Sequence, residues 1–250
     1  MHFMEFIKST QNTLIKRVSS LKDVKGRRQE GLFIAEGVRI VADGGTPTYL
    51  FVTEDNIEFA KKYEGASEVY EVSSEVFSKI SDTKSPQGVL GVYPIPPRTV
   101  INMQGERAIV LDGVSDPGNV GTVIRTAVAC GFCDVYLINC ADPYSPKVVR
   151  STMSGIFKCR ISTGSYEEVH TALRARGAKV YALDMGGDSV FDKELTEPFA
   201  LVVGSEARGV SELVRKDSDG VISLPMEGDI ESLNAGISAS VVMYVTRYKK

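Results

Sequence analysis

The run from Leu111 to Ala127, LDGVSDPGNVGTVIRTA, constrains the fold more than any other stretch, because it joins an apolar strand to a helix through a turn rich in Gly, Asp, Pro and Asn. Pro117 presets φ for the second position of a tight turn and Gly118 accepts the positive φ that the third position of a type II turn needs. Asn119 is a good N-cap, so the pattern predicts a helix starting near Asn119. Val120, Val123, Ile124, Ala127 and Val128 then follow the i, i+3, i+4, i+7 spacing of a buried stripe. Arg125 falls about 100° away from Ile124 on the helical wheel and lies over Gly121, one turn earlier, where nothing bulky blocks its guanidinium. A lone Arg in such a place is ordinarily a surface side chain with a buried stem.

Two further segments change that reading. Phe199-Ala200-Leu201-Val202-Val203-Gly204 is an apolar run that turns polar at Ser205-Glu206-Ala207-Arg208-Gly209, as a buried parallel strand feeding a loop does. Gly220 to Leu224 forms a second such strand, followed by Pro225, Met226 and a Ser232-Leu233-Asn234 step into the last helix. In open α/β sheets ligands sit outside the carboxyl ends of the strands, so three loops bearing Gly, Asn, Ser, Glu and Arg predict one composite pocket.

These three segments, in this order, resemble the signature motifs of SpoU-type (TrmH-like) RNA ribose 2′-O-methyltransferases of the SPOUT superfamily, and the resemblance covers nearly the whole chain. The first motif, with Asn119 and Arg125, matches closely, as does Ser232-Leu233-Asn234. The middle motif departs from the family, with Ser205 where Asn is frequent and Ala207 where Gly is frequent. Lys147 to Phe157, which includes Arg150, resembles the family's basic helix beside the RNA.

The resemblance implies S-adenosylmethionine as cofactor, RNA as substrate, a trefoil knot in the C-terminal part, and a homodimer with its site near the subunit boundary. It implies no metal. It assigns catalysis to Asn119, Arg125, Glu206 and Asn234. Arg125 is the family's proposed base, but a guanidinium stays protonated and offers only donors, so a clamp on phosphate and ribose oxygens suits it better. Asn119 and Asn234 would orient the hydroxyl or Arg125, and Glu206 would hold Arg125 or Arg208. The cofactor would rest on backbone at Gly204, Leu224 and Met226, with Ser232 and Leu233 closing over it.

Organisation follows from punctuation. Tyr93-Pro94-Ile95-Pro96-Pro97-Arg98 reads as an extended linker, dividing the chain into a small accessory α/β module (1–97), a linker (98–106) and a larger α/β domain (107–250). The resemblance implies that the first is an RNA substrate-binding domain and the last the methyltransferase domain. The second half repeats strand then helix, which predicts a doubly wound, largely parallel sheet. The last helix, from Asn234 to about Tyr248, carries more apolar surface than one domain face needs and suits a dimer interface.

The net charge of −3 excludes a uniformly basic coat, yet residues 8–28 hold seven Lys and Arg against Asp23 alone. Among them Lys16, Arg17, Arg27 and Arg28 make a focused patch that attracts phosphate. The N-terminal stretch is too charged for a signal peptide and no apolar run reaches membrane length, so the chain is expected in the cytoplasm. Cys130 and Cys133 form C-x-x-C but follow a helix instead of opening one, so all four cysteines are expected to be buried structural thiols. Two other readings remain. One is an RNA-binding or ribosome-assembly protein without catalysis. The other is a Rossmann-type NAD-dependent oxidoreductase, disfavoured because G-x-G-x-x-G is absent. The two-domain layout leans towards ribosomal over transfer RNA.

Overall fold

The computed structural model describes residues 4–98, 101–228 and 232–249. Within it the chain forms two compact units, one of residues 1–97 with Tyr144–Phe157, the other of Arg98–Pro143 with Lys158–Lys250.

In the first unit, strands β1 (Glu5–Ile7), β2 (Leu32–Glu36), β3 (Tyr49–Val52), β4 (Glu68–Val72) and β5 (Val89–Pro94) form a mixed sheet in the order β1-β4-β3-β5-β2. Helices α1 (Thr13–Ser20), α2 (Val24–Glu30), α3 (Val38–Asp43), α4 (Ile57–Ala60) and α5 (Ser74–Ile80) connect them. Helix α1 begins where Asn12 Oδ1 accepts the Leu14 N–H at 2.8 Å, a side-chain cap for an orphan donor. Its buried Ile15, Val18 and the following Leu21 join Phe51, Phe77, Ile80, Leu90 and Val92 in one core.

The second unit contains β6 (Arg107–Asp112), α6 (Pro117–Cys130) and β7 (Asp134–Ile138). The chain then makes α7 (Pro146–Ser151), which belongs to the first unit. It returns through β8 (Arg160–Thr163), α8 (Tyr166–Ala175), β9 (Lys179–Ser189), β10 (Phe199–Gly204), α9 (Glu212–Asp217), β11 (Gly220–Ser223) and α10 (Ala235–Tyr248). The six strands are all parallel, in the order β11-β9-β10-β6-β7-β8. Every residue of β7 and β10 is buried, as expected of strands covered on both faces. Ala108, Val110, Tyr136, Val180, Ala200 and Val202 pack with Val169 and Leu173 of α8 in one core. Helices α6 and α10 pack on each other.

The start of α6 corrects the sequence expectation. Its cap is Asp116, whose Oδ1 accepts the Asn119 N–H at 2.9 Å, and Pro117 is the first helical residue. Proline at that position gives up only an N–H that would be orphaned anyway. Gly118 is therefore helical, and the positive φ belongs to Gly113 at 75°. The Tyr144–Phe157 stretch joins the first unit through aromatic contacts: Phe33 with Tyr144 (5.1 Å between centroids) and Tyr93 with Phe157 (4.8 Å).

Asp219 ties α8 to the edge of the second sheet, accepting Arg174 Nη1 at 2.6 Å, the Val180 N–H at 2.9 Å and Lys179 Nζ at 3.1 Å. Burial pushes its carboxyl up, but the Val180 N–H and the two cations outweigh this and hold it at about 2. A carboxyl depressed in the folded state stabilises above its unfolded pKa and loses that contribution as pH falls through the folded one. We expect acid unfolding to draw on this site between about pH 4 and 2, by no more than about 2 kcal/mol after solvent screening. Asp219→Asn should flatten the stability curve in that window, read from urea midpoints.

Candidate active site

The parallel register brings the carboxyl ends of β6, β9, β10 and β11 to one edge of the second sheet. At the end of β10, Gly204 is buried, and a Cβ there would stand 2.0 Å from the Gly209 carbonyl carbon and oxygen. Only glycine allows the loop to fold back this closely. The fold-back is closed by the Gly209 N–H, which donates to Ser205 O at 2.8 Å. Asp112 at the end of β6 accepts the Ser211 N–H at 3.0 Å, and Arg215 pairs with Asp184 at 2.6 Å. Glu206, Ala207 and Arg208 are left at the exposed tip.

Glu206 is the meeting point of the three motifs. Its Oε1 accepts the Asn119 side-chain amide, the Asn234 Nδ2 at 3.4 Å and the Ala235 N–H at 3.3 Å. The expectation that Glu206 holds Arg125 or Arg208 is thereby corrected. A carboxylate carried over the start of α10 finds an orphan N–H and the positive end of a helix dipole, together with two amide donors. Asn234 caps α10, its Oδ1 accepting the Ile237 N–H at 3.2 Å. Gly236 completes the seat, since a Cβ there would meet Asn119 Oδ1 at 3.1 Å. Below this junction Thr126 and Ser240 hydroxyls meet at 2.9 Å across α6 and α10.

Arg125 is exposed on α6 and, among the described residues, has no ion-pair or hydrogen-bond partner. Because Glu206 is occupied by the asparagines, the guanidinium keeps its donors for a ligand. Arg208 is exposed in the same state. Past β11, Leu224 is half-buried and Met226 is exposed, and the Leu224 and Met226 backbone groups make no hydrogen bond among the described residues. Ser232 and Leu233 are exposed before the α10 cap, while Asp229, Ile230 and Glu231 lie outside the described residues. No three His, Cys, Asp or Glu side chains cluster to hold a metal among the described residues.

The basic residues of the first unit divide. Lys16 and Arg28 are exposed without a partner among the described residues. Arg17 binds Glu30 at 2.5 Å and Tyr49 Oη at 3.3 Å, and Arg150 binds Asp82 at 2.8 Å. Arg27 is 3% exposed and donates to Leu21 O and Lys22 O, both at 2.8 Å. It therefore closes the carbonyl end of α1 and is buried, a correction to its expected place in the exposed basic patch. The cysteines also differ from expectation, since Cys133 is exposed.

Sequence reasoning missed Asp112, Asp116 and Gly236. Asp116-Pro117 carried the cap signal in plain form, whereas the other two act through partners distant in the chain.

Residues 106–244 match the model of the SpoU rRNA Methylase family, and residues 12–91 match an MRM3-like substrate binding domain. The 23S rRNA (guanosine(2553)-2′-O)-methyltransferase RlmP of Bacillus subtilis is 28% identical over 98% of this chain and 100% of its own length. An AdoMet-bound rRNA methyltransferase from Sinorhizobium meliloti superposes with a TM-score of 0.88 at 28% identity, over 98% of this chain and 97% of that one. The SpoU methyltransferase AviRb from Streptomyces viridochromogenes, in complex with AdoMet, gives a TM-score of 0.83 at 26% identity, over 94% and 97%.

Proposed function

The chain belongs to the SpoU rRNA methylase family, and from that premise we propose that it transfers a methyl group from S-adenosylmethionine to a ribose 2′-oxygen of RNA, with ribosomal RNA as its substrate. The single observation that carries the reading is the junction in which Glu206 fixes Asn119 and Asn234 while Arg125 keeps an unpaired guanidinium.

The residues present fit the cofactor. Leu224 and Met226 offer backbone donors and acceptors not spent within the described chain, as the edge of an adenine requires, and Met226 and Leu233 expose apolar side chains, 38% and 37%. Gly204 fixes the turn at the end of β10, on which the cofactor would also rest, and Ser232 and Leu233 would close over it. When bound, S-adenosylmethionine supplies an electrophilic sulfonium methyl.

The protein's own task is to present a ribose hydroxyl in line and ease the loss of its proton. Arg125 would hold phosphate and ribose oxygens through its fork of donors and stabilise the charge that develops on the 2′-oxygen. It does not take the proton, since guanidinium has no acceptor. Asn119 and Asn234 set the floor against which the ribose is oriented, and Glu206 holds both. Glu206→Ala should therefore lower kcat by about 10- to 100-fold while changing stability by less than about 1 kcal/mol, because Glu206 is exposed. A methyl-transfer assay with a parallel urea titration separates the two.

The first unit would act as the substrate-binding domain, with Lys16, Arg28, Arg17 and Arg150 offering cations to phosphates and Arg27 left out. The reading includes a trefoil threading of the C-terminal segment, supported by the position of β11 beyond β9 and the return of α10 onto α6. It includes a homodimer, supported by Ile237, Tyr244 and Tyr248 exposed on α10, and a place in the cytoplasm. Mapping 2′-O-methyl positions across total RNA, with and without the intact chain, tests the reading. One ribose methyl lost with the protein supports it, and an unchanged map refutes it in favour of RNA binding without catalysis.

A further inference from the structure

We propose that Cys133 and Cys159 form a reversible disulfide when the protein meets a low-molecular-weight disulfide. The two cysteines stand at the starts of neighbouring parallel strands, one residue before the paired Asp134 and Arg160. The ladder reaches them, because the Arg160 N–H donates to Cys133 O at 2.8 Å. Neighbouring strands lie about 4.8 Å apart, inside the window of about 4.4–6.8 Å between Cα atoms that a disulfide spans. The thiols also sense each other: burial pushes Cys159 up to about 12, and the neighbouring Cys133 adds to the shift.

The other cysteines face elsewhere. Cys130 ends α6, is buried and senses Arg247 of α10. Cys140 lies past the far end of β7 and donates to Leu111 O at 3.2 Å. Sequence spacing alone would pair Cys130 with Cys133, whereas strand register pairs Cys133 with Cys159.

The exposures assign an order to the exchange. The exposed Cys133 thiolate attacks the small disulfide, forms a mixed disulfide and releases one small thiolate. Cys159, which is less accessible, then attacks Cys133 Sγ, its proton passing to the departing second thiolate. The net change is two protein thiols and one small disulfide becoming one protein disulfide and two small thiols. The bridge would close a loop that contains α7 and the whole Tyr144–Phe157 stretch, and so tie down the strands from which that stretch departs.

The test incubates the full chain with oxidised glutathione and maps peptides without reduction. The expected result is a Cys133–Cys159 cross-linked peptide, two of the four thiols lost to alkylation, recovery with dithiothreitol, and a rise in Tm of several degrees on oxidation. Cys130→Ser should leave all of this intact. Cys159→Ser should stop at a glutathione adduct on Cys133. A Cys130–Cys133 bridge, an adduct on Cys133 that persists in the unsubstituted protein, or four unchanged thiols would overturn the proposal.

Discussion

Replacing Arg125 by alanine is expected to slow methyl transfer to RNA by roughly 100- to 1,000-fold, the cost of removing one well-placed donor to developing oxyanion charge. The protein should otherwise be intact. Arg125 is exposed on α6 and its side chain holds nothing in the fold among the described residues, so the change in stability should stay within about 0.5 kcal/mol. Binding of S-adenosylmethionine, measured by calorimetry, should also persist, because the proposed cofactor contacts lie at the end of β10, just past β11 and at the entry to α10. Arg125→Lys should recover little of the loss, since an ammonium cannot grip two oxygens with a planar fork. Methyl transfer by Arg125→Ala within about threefold of the unsubstituted chain would remove Arg125 from the reaction.

Gly204→Ala should have the largest effect on stability. The added methyl would stand 2.0 Å from the Gly209 carbonyl and 2.3 Å from Val210 N, both backbone atoms of a loop tied to Asp112 through Ser211. Flexible side chains can step aside from such a contact, but a closed backbone turn cannot. A loss of about 3 kcal/mol or more is expected, read from the urea midpoint at constant slope. Because the displaced loop carries Glu206, the survivors at low temperature should also lose cofactor affinity and methyl transfer. A variant as stable and active as the parent would mean that the Ser205–Gly209 fold-back is not the geometry the protein uses.

The parts of this architecture that local patterns encode were legible from the sequence. The apolar runs at 135–138 and 199–204 are strands buried on both faces, the strand expected over Ala108 to Val114 is present but ends at Asp112, and Asn234 caps the last helix as its position before an apolar stripe requires. Strand β8 was missed because Arg160–Thr163 is a short, partly exposed edge strand without an apolar run. Strand β9 extends to Ser189 past Gly186 and Gly187, residues that signal a turn, and its pairing with β11 shifts register there. The start of α6 was misplaced because Pro117-Gly118 is equally good as a turn and as a first helical turn. The Asp116 side chain, which accepts the Asn119 N–H and caps the helix, decided for the helix.

The candidate site divides in the same way. Its three loops could be listed from local motifs, but the partner of Glu206 could not, because Asn119 is 87 residues away in the chain and competes with Arg125 and Arg208 for the same carboxylate. Arg27 shows the converse. Local charge placed it in a phosphate-binding patch, while the carbonyl groups at the end of α1, six residues away, claim its guanidinium.

The central claim is that the junction of Asn119, Arg125, Glu206 and Asn234 directs a methyl group to a ribose oxygen. The most direct measurement incubates the protein with ribosomal RNA and S-adenosylmethionine labelled in the methyl group, digests the RNA to nucleosides and identifies the labelled product. The account predicts label in a 2′-O-methylnucleoside, formed roughly 100- to 1,000-fold more slowly when Arg125 is alanine. Label on a base, or no transfer by a chain that binds both RNA and S-adenosylmethionine, would contradict it.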